Sequence, residues 1–142
     1  MIVLDQNIPT DERRKLERWG IHTRKIGVDI GWAWMDDVGQ VLPLLHSLRQ
    51  PTFFTLDLGF YHRRFCHDRY CLVVFDVADT QVAEFVRKFL RHPLFRTKAK
   101  RMGKVMLVSS EGVRWWTKGM PKEFRAAWTS PISVDKNTDN KR

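Results

Sequence analysis

Short apolar runs alternate with stretches of helical periodicity along most of this chain. The apolar runs fall at residues 1–4, 52–55 and 71–75, and apolar residues recur at helical spacing in the stretches 10–19, 38–48 and 79–90. Strands that are apolar throughout and alternate with helices are typical of a parallel sheet with helices on both faces. We therefore expect an α/β fold with a mostly parallel sheet.

The length of 142 residues is that of one domain. We expect this domain at residues 1–130, with a closing β-hairpin at residues 104–109 and 112–117, and a flexible polar tail at residues 131–142. No apolar run approaches the roughly 18 residues that a membrane span needs, and no basic leader precedes an apolar core. Two cysteines are too few for a disulfide framework, so we expect a cytoplasmic protein with no membrane partner.

Three of the apolar runs lead directly into an acid. Asp5 follows IVL, Asp57 follows FFTL and Asp76 follows LVVF, while Asp36 and Asp37 stand at the start of a predicted helix. The carboxyl ends of parallel strands meet at one edge of a sheet, so these carboxylates would repel one another unless a cation neutralised them. Hard oxygen ligands suit Mg²⁺ or Mn²⁺, and such a metal could activate water against a phosphodiester. The alternative is that each Asp starts a turn or caps a helix.

Basic residues are concentrated in patches and give the chain a formal charge of +9. Residues 86–104 contain no acid, and their bases include Arg91, Arg96, Lys98, Lys100, Arg101 and Lys104. A polyanion is the natural partner of such a segment, because each phosphate contact releases counterions. The alternative is a solvated basic face that only keeps the protein soluble.

A second candidate site lies in the loop at residues 61–71. Its soft and imidazole side chains, which are those of His62, Cys66, His67 and Cys71, could hold zinc. The interleaved Arg63 and Arg64 would crowd a dication, so we favour a basic loop that holds a phosphate backbone.

Tryptophans offer a further type of contact with nucleic acid. Trp32, Trp34, Trp115 and Trp116 could stack on unpaired bases, and the alternative is packing in the core or at its rim. No Gly-rich phosphate loop follows the first strand and no nucleophile motif is present, which argues against nucleotide-cofactor and acyl-transfer chemistry.

Four segments together resemble a known family. LDQNIP, the DD before the second helix, FFTLDLGF and FLRHPLFRTKAKRMGKV are similar, in this order, to the PIN-like domains grouped with the Mut7-C and VapC-like proteins. That group is related to the toxin ribonucleases of bacterial toxin–antitoxin systems. The resemblance covers residues 1 to about 116, and it implies a Rossmann-like three-layer sandwich with an acidic metal pocket.

The resemblance also assigns roles residue by residue. Asp5 matches the first acid, Asp37 or Asp36 the middle acid, Asp57 the acid of a Thr-x-Asp element, Thr55 its hydroxyl, and Asn7 a polar residue after the first acid. The chain departs from the pattern at two positions, because Gln6 and Gly59 stand where many relatives have acids.

These residues lead to two hypotheses from different classes. The first is a Mg²⁺- or Mn²⁺-dependent ribonuclease whose metal is held by Asp5, Asp37 or Asp36, and Asp57, with Asp76 as a further ligand. In this hypothesis RNA is the substrate, a small antitoxin protein is a candidate partner, and a homodimer is a candidate assembly. The second is a non-catalytic RNA-binding or adaptor module, which Gln6 and Gly59 favour.

Overall fold

The apolar runs form the central strands of one seven-stranded sheet. The computed structural model describes residues 1–35 and 37–128. Its strands are β1 (Ile2–Leu4), β2 (Arg24–Lys25), β3 (Thr52–Thr55), β4 (Cys71–Asp76), β5 (Lys104–Ser109), β6 (Gly112–Thr117) and β7 (Phe124–Ala127). The α-helices in this part of the chain are α1 (Thr10–Arg18), α2 (Val38–Ser47), α3 (Val82–Arg91) and α4 (Lys98–Arg101).

The strand order is β2-β1-β3-β4-β5-β6-β7. Strands β1 to β5 pair in parallel, whereas β5 with β6 and β6 with β7 are antiparallel. The predicted hairpin is confirmed by the pairing of β5 with β6. Only Ser110 and Glu111 separate these two strands, and a parallel pairing would need a crossover of about a dozen residues or more.

The expectation of a Rossmann-like three-layer sandwich with a mostly parallel sheet is therefore wrong, although helices do lie on both faces of the sheet. The chain is an α/β protein, but its sheet is mixed, with two antiparallel strands at its C-terminal edge. The helical layers are also sparse, because the described residues contain four α-helices and the last has only four residues.

Helices α1 and α3 pack on one face of the sheet. Leu16 of α1 and Phe89 of α3 lie in a buried cluster with Phe54 and Phe75 of the central strands. The rings of Phe54 and Phe75 are stacked, with centroids 5.5 Å apart. This face extends to the antiparallel strands, because Val113 and Trp115 of β6 belong to the same cluster.

The opposite face is covered by α2 and by the loop that follows β3. Val41 and Leu45 of α2 pack with Phe53 and Leu72 of the sheet, and Phe60 from the loop joins them. This second cluster contains no residue of β6 or β7. At β6 this face is covered near Trp116, where Arg63 of the loop lies over the ring, whereas Arg114 of β6 and Arg125 of β7 are exposed. Within the described residues, no helix has both the length and the apolar character that crossing a membrane requires.

Candidate functional site

Asp5 and Thr55 meet at the carboxyl edge of the parallel strands. Asp5 follows β1, and its backbone N–H donates to the carbonyl of Phe54 in β3 at 2.9 Å. The Thr55 hydroxyl donates to Asp5 Oδ2 at 2.6 Å, and the Gln6 N–H donates to Asp5 Oδ1 at 2.8 Å. Asp5 is only 2% exposed. A buried carboxylate needs such donors, because burial removes the water that would otherwise solvate its charge.

The Thr55 hydroxyl also accepts two hydrogen bonds. Its Oγ1 accepts from the Asn7 side-chain amide at 3.3 Å and from the Asp57 N–H at 3.0 Å. The Asn7 side-chain oxygen accepts in turn from the Leu56 N–H at 3.2 Å. One hydroxyl therefore links Asp5, Asn7 and Asp57, and these four residues, counting Thr55, form the acid edge.

Asp57 begins the short 3₁₀ turn at Leu58–Phe60. Its Oδ1 accepts from the Gly59 N–H at 2.9 Å, while the side chain is exposed. Gly59 is not in the left-handed backbone region, so its conformation does not require glycine. A Cβ at this position would lie 3.1 Å from Asp57 Oδ1. A side chain added at Gly59 would thus extend from a point beside the Asp57 carboxylate.

The remaining predicted acids have different surroundings. Asp37 caps α2, because its side chain accepts from the Gln40 N–H at 2.8 Å. Asp36 lies outside the described residues, so its assignment as the middle acid stays a prediction. Asp76 ends β4 at the same edge as Asp57 and is exposed. It lies two residues beyond Val74, the partner of Thr55.

A divalent cation at the acid edge would need several oxygen ligands. Within residues 1–35 and 37–128, no group of three His, Cys, Asp or Glu side chains could hold a metal ion. Mg²⁺, however, commonly binds through one or two carboxylates and takes its other ligands from water and substrate phosphates. A cation bound in this way would need the buried Asp5 and the exposed Asp57 as its two carboxylates.

The basic segment, residues 86–104, leads to the amino ends of the parallel strands. We call these strand ends the amino edge of the sheet. Arg101 of α4 is 7% exposed, and its Nε donates to the hydroxyl of Thr52 at the start of β3. Its other nitrogens donate to the carbonyls of Phe95 and Arg96. Burial lowers the pKa of this guanidinium. Arg101 therefore has a structural role, and the expectation that it contacts nucleic acid is not supported by its surroundings.

Most of the other bases of the segment lie at the surface. Arg91, Arg96, Lys98 and Lys100 are exposed, and Lys104 is half-buried at the start of β5. Since the six residues of β5 span about 17 Å, this group does not flank the acid edge. The sequence reveals the charge of the segment but not the end of the sheet at which it lies. Its contact with RNA stays a prediction.

The loop at residues 61–71 packs its cations against aromatic rings. Arg63 lies over the Trp116 ring at 5.3 Å, and Arg64 lies over Phe65 at 4.8 Å. Cys71 is fully buried in β4, and burial raises the pKa of its thiol to about 12. The alternative of zinc in this loop finds no support, since none of the described residues form a ligand cluster.

The tryptophans divide between the core and the surface. Trp115 is 8% exposed and packs against Phe95 and Phe124, so it is a core residue. Trp34 is 86% exposed, with a φ of 72°. Its backbone N–H donates to the Gln6 side-chain oxygen at 3.2 Å. Gln6, which stands where many relatives have an acid, thus binds the backbone of an exposed tryptophan.

The carboxyl edge of the parallel strands therefore carries hydrogen-bonded carboxylates beside an exposed tryptophan. Comparisons with protein-family models, with curated proteins and with solved structures find no match for this chain.

Proposed function

We propose that the protein is a PIN-like ribonuclease that uses Mg²⁺ or Mn²⁺ at the acid edge. The observation that carries this proposal is the Thr55 hydroxyl, which donates to Asp5 and accepts from Asn7 and from the Asp57 backbone. Those four residues are the ones that the resemblance matches to the family's first acid, polar residue and Thr-x-Asp element. A metal bound here would lower the pKa of a coordinated water and polarise the scissile phosphate.

The chain's own residues prepare this edge for a phosphodiester. Asp5 is held in one orientation because both of its oxygens accept hydrogen bonds. Asp57 is exposed and can reach a cation that also contacts substrate. Its orientation is set by the Gly59 N–H. Fixed oxygens of this kind place their charge without reorganisation during the reaction.

RNA is the proposed substrate because the chain is a polycation. The formal charge of +9 attracts a phosphate backbone over a distance set by the ionic strength. Trp34 beside the acid edge could stack on an unpaired base, which favours single-stranded RNA. In the toxin form of the proposal, a small acidic antitoxin protein would cover the same surface in the cytoplasm.

A second candidate function is an RNA-binding or adaptor module without catalysis. It is favoured by the capping role of two carboxylates, since Asp37 accepts from Gln40 and Asp57 accepts from Gly59. The lack of a three-ligand cluster in the described part of the chain points the same way.

Substitution of Asp57 by Asn separates these two functions. The Asn side-chain oxygen can still accept from the Gly59 N–H, so the turn should keep its shape while the charge is lost. We expect Asp57→Asn to reduce metal-dependent cleavage of single-stranded RNA at least about 100-fold and to weaken Mn²⁺ binding measured by electron paramagnetic resonance.

The matched control is Asp79→Asn, an exposed Asp at the start of another 3₁₀ turn that makes no side-chain cap. It should leave both measurements unchanged. Wild-type protein that neither binds Mn²⁺ nor cleaves single-stranded RNA would contradict the ribonuclease and favour the binding module.

A further inference from the structure

Two arginines face each other across the antiparallel strands. Arg114 of β6 and Arg125 of β7 are directly paired in register, and both are exposed. Directly opposed like charges destabilise a sheet. Arg114 has a loose partner in Glu123, with 4.0 Å between Nε and Oε2. An anion between the two guanidinium groups would remove the repulsion.

The arginine pair is linked to Thr55 of the acid edge by direct pairings across the neighbouring strands. Thr55 pairs with Val74, Val74 with Leu107, and Leu107 with Arg114. Side chains of directly paired residues share a face, so Thr55 and the arginines point to the same side of the sheet. Three strand spacings of about 4.8 Å each place Arg114 about 14 Å from Thr55. On this face the second buried cluster includes no residue of β6 or β7, and Arg63 covers β6 only at Trp116, two residues from Arg114.

A groove leads from the end of β4 to these arginines. Its volume is about 630 Å³, and its lining includes Asp76, Ser109, Glu111, Arg114 and Arg125. The two acids lie at the carboxyl end of β4 and in the β5–β6 turn, and the two bases lie on β6 and β7. The groove therefore begins at β4, one strand away from β3. Its lining becomes basic toward β6 and β7.

We propose that this groove holds the phosphate backbone of single-stranded RNA on one side of the scissile bond, with Arg114 and Arg125 contacting phosphates. The proposal rests on the proposed function in taking RNA as the ligand. A separation of about 14 Å corresponds to a few nucleotides of an extended strand. Guanidinium groups suit this role because they bind phosphate oxygens in a bidentate manner. The bases at the amino edge cannot bind these phosphates, since they lie at the other end of the strands.

The test compares two charge-matched double variants. Arg114→Gln with Arg125→Gln removes the groove pair, and Arg96→Gln with Lys98→Gln removes two exposed charges at the amino edge. Binding of a fluorescein-labelled oligouridylate of about 12 nucleotides is followed by anisotropy in EDTA over a range of salt. Circular dichroism checks that each variant is folded.

We expect the groove variant to bind at least about tenfold more weakly at low salt and to lower the slope of log affinity against log salt by roughly 1.4, since each lost contact contributes about 0.7. The amino-edge variant should keep the wild-type slope. Equal losses in both variants, or a loss only at the amino edge, would overturn the proposal. So would competition by polyglutamate as strong as that by unlabelled RNA, because the groove would then bind any polyanion.

Cleavage assays distinguish failure of this proposal from failure of the proposed function. The groove variant should raise KM for the oligonucleotide and leave cleavage of a dinucleotide unchanged, because a dinucleotide is too short to reach Arg114. Metal-dependent cleavage with no change in the groove variant would refute the groove and keep the ribonuclease. Groove-dependent binding without cleavage by the wild type would refute the ribonuclease and keep the groove.

Discussion

At the scale of single residues, the acid edge depends on hydrogen-bond counting. A hydroxyl has one donor and two acceptor positions, and Thr55 uses all three within this edge. Valine has the same shape as threonine but would remove all three bonds. Thr55 is therefore specified by the polar groups around it rather than by the shape of its β-branched side chain alone.

Gly59→Asp should strengthen metal binding at the acid edge by about tenfold, because it adds a carboxylate beside Asp57. The backbone there accepts a side chain, and the new Cβ requires Asp57 to move by only a few tenths of an ångström. Mn²⁺ titration followed by electron paramagnetic resonance measures the gain.

The same variant should be less thermally stable than the wild type without metal, and this loss should be recovered in Mn²⁺, since adjacent carboxylates repel one another. Gly59→Asn is the control, because it adds similar volume without the charge. If Gly59→Asn and Gly59→Asp behave alike with and without Mn²⁺, the effect is steric and the acid edge does not bind metal.

At the scale of elements, the short helix α4 is fastened to the sheet by Arg101. Its guanidinium donates to the Thr52 hydroxyl and to the carbonyls of Phe95 and Arg96. This connects the loop after α3 with the start of β3. A four-residue helix has almost no stability of its own, so its position depends on such contacts.

Arg101→Met should lower the free energy of unfolding by about 2–4 kcal/mol, because the buried Thr52 hydroxyl and two carbonyls would lose their donors. Urea unfolding followed by circular dichroism measures this change. The neighbouring Lys100→Met should stay within about 0.5 kcal/mol of the wild type, because Lys100 is exposed. Similar values for the two variants would show that Arg101 does not anchor α4.

The sequence predicts elements better than it predicts their arrangement. Strand β3 and the carboxyl-end position of Asp57 follow from local apolar runs, and the β5–β6 hairpin follows from its short turn. The sequence predicts that the whole basic segment binds RNA. In the structure, however, Arg101 is buried and its neighbours lie at the amino edge. Such outcomes depend on pairings between distant parts of the chain. The same holds for Arg114 and Arg125, which become neighbours only when β6 pairs with β7.

At the scale of the whole molecule, the two ends of the strands have opposite character. The carboxyl edge carries Asp5, Asp57 and Asp76, whereas the amino edge carries the basic segment. Net charge therefore attracts a polyanion to the protein without specifying the edge at which it binds. The open groove on β6 and β7 provides cations on the same face as the acids.

Global stability should fall as the pH drops below about 6.5. Burial, followed by the nearby charges of His46, Lys118 and Arg69, lowers the pKa of His67 below its ordinary value of 6.5, and only Asp68 opposes this. The unfolded chain then binds a proton at a higher pH than the folded protein, so stability is lost as the pH falls from 6.5 through the folded pKa.

Replacement of His67 by Gln should flatten this part of the stability curve, which thermal unfolding between pH 5 and pH 7.5 would measure. His22→Gln is the control, because His22 is exposed at the end of the α1–β2 connection. An unchanged pH dependence in His67→Gln would assign the effect to another group.

The strand order has a consequence for how the chain folds as it is synthesised. From β4 onward, every new strand pairs with the strand that came immediately before it. The sheet can therefore lengthen at one margin while the chain emerges from the ribosome, without waiting for a distant segment to return. Until β6 is made, β5 presents an unsatisfied margin that could capture a strand from another nascent chain. The tight β5–β6 turn shortens that interval, because the protecting strand follows after only two residues.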